Sequence, residues 1–208
     1  DEVDLIANTA DLTAGRSFGG FVDGDADLDL ETDIDILTAV SLGRLSINES
    51  HDITLAEVRA ADGPIRVTAS GSITAQQVES AAGGSDNAIV LGAVMLHSGD
   101  GISCSGGKIT AGTISVEAGG AVELYTTADF IEALGGTGLR IYETDELILS
   151  TWIVQVGVIT EEAGSVTIGG EVDLVLEDSS IVGDLFVEAP DRRVVVSGKI
   201  TAQQVNLL

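Results

Sequence analysis

The chain has 208 residues, enough for one substantial core, and carries 34 acidic against 9 basic side chains for a formal charge of −25. That balance excludes nucleic-acid binding, which relies on Lys and Arg to neutralise phosphates, and repels anionic membranes for the same reason. Hydrophobic residues reach 44% while aromatics stop at 3%, so the core must be built from Val, Ile, Leu and Ala, which favours strands.

Residues 1–25 contain no coil that can be set in register with the rest, and are expected to form a cap or an irregular first coil. The densest acidic stretch, DGDADLDLETDID, occupies 23–35. An EF-hand loop starting at Asp23 would need Gly where Leu28 stands and a bidentate Glu where Ile34 stands, so that reading fails. Read as a strand, the stretch points Leu28, Leu30, Ile34 and Ile36 inward and Asp27, Asp29, Asp33 and Asp35 outward. Ca²⁺ takes six to eight oxygens and could bridge that carboxylate row. A solvated acidic face accounts for the same pattern.

From residue 45 onward a unit recurs. Leu45 and Ile47 alternate inward, a polar turn follows, and Ile53, Leu55 and Val58 continue at spacing i, i+2, i+5. The change of parity between the last two requires a bend. Ile65 and Val67, then Ile73, Ala75 and Val78 in GSITAQQV at 71–78, repeat the pattern, with the bend at Gln76 and Gln77. His51 sits beside Asp52 in a polar turn and His97 leaves a strand after Met95; neither has a second His or a Cys at ligand spacing, so both read as surface residues. Cys104, alone and flanked by small residues, reads as a buried thiol with no base to activate it. GGSDNAIVL at 83–91 and GGTGLRIYE at 135–143 are imperfect single matches to the calcium-roll nonapeptide.

LRIYETDELIL at 139–149 matches LSINESHDITL at 45–55 position by position, aligning Glu143 with Glu49 and Thr144 with Ser50, and LDLETDIDI at 28–36 is a shorter copy. Leu147, Leu149 and Trp152 take the corner spacing, which places Trp152 inside, while Tyr142 has outward parity. The apolar run STWIVQVGVIT at 150–160 is too short to span a bilayer, so no membrane insertion is expected. Val194 and Val196, then Ile200, Ala202 and Val205 in GKITAQQV at 198–205, close the series.

Units of about 17–25 residues, starting near 28, 45, 65, 89, 109, 122, 139, 166 and 194, cannot bury an apolar face alone and must stack. The predicted fold is all-β: one domain over 1–208, a right-handed parallel β-helix (solenoid) of nine or ten coils, forming a rod on the order of 45 Å long. The alternative is two tandem β-sandwich modules, favoured by the separation of LSINES and LRIYET and by SDNAIV at 85–90, which resembles a calcium linker between cadherin modules.

The phrases INESHDITLAEVRAADGPIRVTASGSITAQQV at 47–78, IYETDELIL at 141–149 and AGSVTIGGEVDL at 163–174 resemble the repeats of giant bacterial surface and secreted proteins of the filamentous-haemagglutinin or adhesin type. The resemblance runs from about residue 26 and lies in repeat phrasing. It implies a non-catalytic stalk or adhesive segment of a longer exported protein, extracellular or on the cell surface. Its partners would be further repeats of the same polypeptide and cell-surface glycans or proteins. SGKITAQQVNLL, ending just after a corner, fits a polypeptide that continues as coils or a cap. Parallel β-helices also host polysaccharide lyases and hydrolases, but such chemistry draws on basic residues and aromatic platforms, and seven aromatics and nine basic residues lie scattered here. No enzyme and no cofactor other than the Ca²⁺ considered above is expected.

Overall fold

A computed structural model describes residues 3–16, 30–82, 90–104, 106–135, 137–143, 147–151, 155–160, 166–170, 174–181, 184–188 and 193–207. These residues form strands and turns, with no helix among them. Successive strands pair in parallel, residue on residue, so that the chain winds as a β-solenoid. This arrangement excludes tandem sandwiches, whose sheets are antiparallel.

Two ladders of strands run along the stack. The first takes the start of Leu30–Ser41, then Leu45–Glu49, Ile65–Ala69, Ala93–Ser98, Thr113–Ala118, Phe130–Gly135, Leu147–Thr151, Val166–Gly170, Leu185–Glu188 and Val205–Leu207. The second takes the end of Leu30–Ser41, then Ile53–Ala60, Ile73–Ala75 with Gln77–Ala82, Ile102–Ser103 with Lys108–Thr110, Ala121–Thr127, Gly138–Glu143 and Gln155–Thr160. It ends on Leu174–Leu176 with Ser179–Ser180 and on Val194–Val196 with Ile200–Thr201.

Identical registration puts like side chains on top of one another. Leu45, Ile65, Val94, Ile114, Ile131, Leu149, Ile168 and Val187 form one unbroken inward line, each at most 1% exposed. Ile53, Ile73, Ile102, Val122, Leu139, Val156 and Leu176 form another on the facing ladder. Burying each such side chain is worth about 1.5–3 kcal/mol. No single coil can do this alone, which is why the period in the sequence and the stack in space are one phenomenon.

The predicted corner is present. Ile53, Leu55 and Val58 are buried, as are Ile73, Ala75 and Val78, and Gln76 and Gln77 are exposed at the bend. The corner is not uniform along the rod, however. Val122, Leu124, Thr126 and Ala128 are buried in strict alternation, so there the second ladder passes without the change of parity. Trp152 lies outside the described residues.

Five expectations need correction. The regular stack comprises about seven turns, so nine or ten coils are not matched exactly. Two intervals are longer than a 17–25 residue unit allows: Leu5 pairs with Thr32, and Ile65 with Val94. The second of these includes an antiparallel excursion pairing Ala81 with Leu91 and Ala82 with Val90. Ile36, expected inside, is 40% exposed, because the chain turns after Ile34 and Leu37 takes the inward slot. The phrases at 45–55 and 139–149 take the two ladders in opposite order, since Leu45 pairs with Ile65 on the first whereas Leu139 stacks on Val122 on the second. Finally, the register line through Ile73 runs to Val196, four residues short of Ile200, so the two octapeptides occupy different slots of the coil. At the other end, Leu5–Ala14 is in parallel register with Leu30–Ser41, a pairing that residues 1–25 do not announce in sequence.

Candidate functional site

Inward positions at the end of the first ladder are small: Thr32, Glu49, Ala69, Ser98 and Ala118 stack in register. Glu49 is the exception in this line, and it is 1% exposed. A buried carboxylate costs several kcal/mol unless its oxygens are satisfied. Here Thr32 Oγ1 and the Ile34 N–H, both from the preceding turn, donate to Glu49 Oε2 at 2.7 and 2.9 Å. The His51 N–H and Ser50 Oγ donate to Oε1 at 3.1 and 3.3 Å. The polar turn that follows is thereby pinned to the carboxylate.

Pinning that turn brings His51 over the preceding coil. Its Nδ1 lies 3.3 Å from Asp33 Oδ1 and 2.9 Å from Ser50 Oγ. One donor atom from each of Asp33, Glu49 and His51 lies within 4.8 Å of the others. Two carboxylates and an imidazole thus converge at one edge of the rod, an oxygen and nitrogen donor set suited to a divalent metal. Glu143, also buried, accepts from Thr126 Oγ1 at 2.6 Å in the same way, 17 residues on from its donor as Glu49 is from Thr32.

Of the acidic row considered for Ca²⁺, Asp33 is half-buried beside His51 and Asp35 is exposed past it, while Asp27 and Asp29 lie outside the described residues. Sequence reasoning treated Glu49 as one member of an aligned pair and overlooked its burial. The signal was present: Glu49 shares inward parity with Leu45 and Ile47, as Glu143 does with Leu139 and Ile141. What spacing could not show is the register of Thr32 on Glu49, which alone carries Asp33 to His51.

The second histidine, His97, is half-exposed and pairs across one turn with Glu117 at 3.0 Å. It borders a shallow groove of about 320 Å³ whose walls include Arg66, Met95, Ser115 and Glu117. Cys104 faces inward at 1% exposed, and burial pushes its thiol up to about 11. Tyr125 and Tyr142 stack in parallel on adjacent rungs, ring centroids 4.1 Å apart. Among the described residues no helix is long and apolar enough to cross a membrane. No family model, curated protein or solved structure matches this chain.

Proposed function

We propose that this chain is a non-catalytic structural or adhesive segment of a larger exported bacterial protein, a right-handed β-helical spacer of the filamentous-haemagglutinin type. The observation that carries the reading is the unbroken inward line from Leu45 to Val187, which leaves the interior filled with side chains and devotes the outward positions to display. Such a stack transmits length and presents a long lateral surface, and its outward residues can vary without harm to the core. The strongly acidic composition keeps such a surface soluble. Further coils of the same polypeptide and cell-surface glycans or proteins are its proposed partners.

Two measurements test this. Small-angle scattering should return a rod that lengthens by about 4.8 Å per added coil; a compact sphere would contradict the spacer role. A panel of acidic and neutral polysaccharides, assayed for reducing ends and unsaturated products, should show no turnover, and reproducible cleavage would replace the scaffold by an enzyme.

A further inference from the structure

We propose that Asp33, Glu49 and His51 bind one divalent cation of the zinc class, clamping two successive turns of the solenoid. Bonds of about 2.0–2.2 Å in tetrahedral geometry set neighbouring donors about 3.3 Å apart. Asp33 Oδ1 and His51 Nδ1 already stand 3.3 Å apart, and a Glu49 oxygen completes a set within 4.8 Å. The imidazole nitrogen selects against Ca²⁺ and Mg²⁺, which take oxygen.

Groups outside the cluster hold the donors in place. Thr32 Oγ1 and the Ile34 N–H fix Glu49 from the preceding turn, as outer partners orient a ligating carboxylate. The His51 N–H to Glu49 Oε1 bond fixes the turn that carries the imidazole. A surface ion pair between Asp33 and His51 would need neither the third donor nor its orientation. The ion reaches two of the three donors from solvent, because the His51 side chain is 72% exposed and that of Asp33 45%, while Glu49 is buried. Water would complete the coordination. The site does not depend on the scaffold reading, since its residues lie at a rod edge that a spacer could leave bare.

The test is calorimetric titration of the untagged full chain with ZnCl₂, with thermal melts in parallel. One Zn²⁺ per chain should bind saturably and raise the melting temperature, while CaCl₂ and MgCl₂ at equal concentration should not. His51→Ala, at an exposed position, and Asp33→Asn, at a half-buried one, should each weaken Zn²⁺ at least about tenfold, and His97→Ala should leave it unchanged. Loss of affinity in His97→Ala equal to that in His51→Ala, retention of full affinity in His51→Ala, or a Ca²⁺ response equal to that of Zn²⁺ would overturn the proposal in favour of diffuse cation binding to an acidic surface. So would absence of saturable binding.

Discussion

Cys104 follows Ile102 by two residues on the inward face, and its thiol rises from an ordinary value near 9 to about 11. Desolvation is the main cause; a hydrogen bond with the Tyr125 backbone opposes it and the Glu123 charge adds to it. The folded chain therefore holds the proton more tightly than the unfolded one. That contribution to stability is complete below pH 9 and is lost as pH rises from 9 to about 11, by about 2–3 kcal/mol in all. Denaturant midpoints at pH 8 and 10.5 should fall more for the parent than for Cys104→Ala, and equal falls would show that the thiol does not titrate from a buried site. At this scale parity is legible in sequence wherever a strand runs straight, as for Leu45, Ile47 and the overlooked Glu49. It fails at bends: Ile36 shares the parity of Ile34 but follows the turn that sends Leu37 inside.

Turns show what the duplicated octapeptide does share. Gly71 passes over Asp52 of the previous turn, whose Oδ1 accepts the Ser72 N–H at 2.7 Å, and Gly198 passes over Asp178, whose Oδ1 accepts the Lys199 N–H at 2.7 Å. A Cβ on Gly71 would run into Asp52 Oδ1 and stand 2.9 Å from the Asp52 backbone nitrogen; on Gly198 it would meet the Asp178 backbone nitrogen and stand 2.6 Å from Oδ1. The glycine is thus required by the aspartate beneath it, through its backbone as well as its carboxylate. Gly71→Ala and Gly198→Ala should each cost about 1–3 kcal/mol by chemical denaturation, whereas Gly15→Ala, with open space around it, should stay within about 0.5 kcal/mol. Equal effects at all three would remove the Asp-under-Gly turn from the explanation. The repeat itself was legible because each strand needs the same alternation. Its placement was not, since the two ladders and both kinds of corner present the same apolar demand to a short phrase.

At the scale of the whole molecule, 34 acidic side chains stand against nine basic ones, and the register decides how far those few cations reach. Arg59 lies opposite Glu79 in the next turn and also meets Glu57 at 3.1 Å, and Glu123 lies opposite Arg140. Each cross-rung pair relieves repulsion locally, but exposed pairs of this kind are worth only about 0–1 kcal/mol. The formal charge of −25 is what remains after every basic side chain is counted, and it is carried by a chain whose turns stack about 4.8 Å apart. Repulsion therefore opposes the compact state, and unfolding relieves it by spreading the charges. Raising NaCl from 0.01 to 0.15 M shortens the screening length from about 30 to about 8 Å, which spans fewer than two rungs. The melting temperature should rise over that range by about 2–4 °C for each kcal/mol of repulsion removed, then flatten as the remaining interactions become local. NaCl rather than a sulfate salt isolates screening from the general strengthening of apolar burial. A melting temperature that falls with salt would mean that the pairs at Arg59 and Arg140 outweigh the repulsion, and that the solenoid is held together by its cations rather than in spite of its charge.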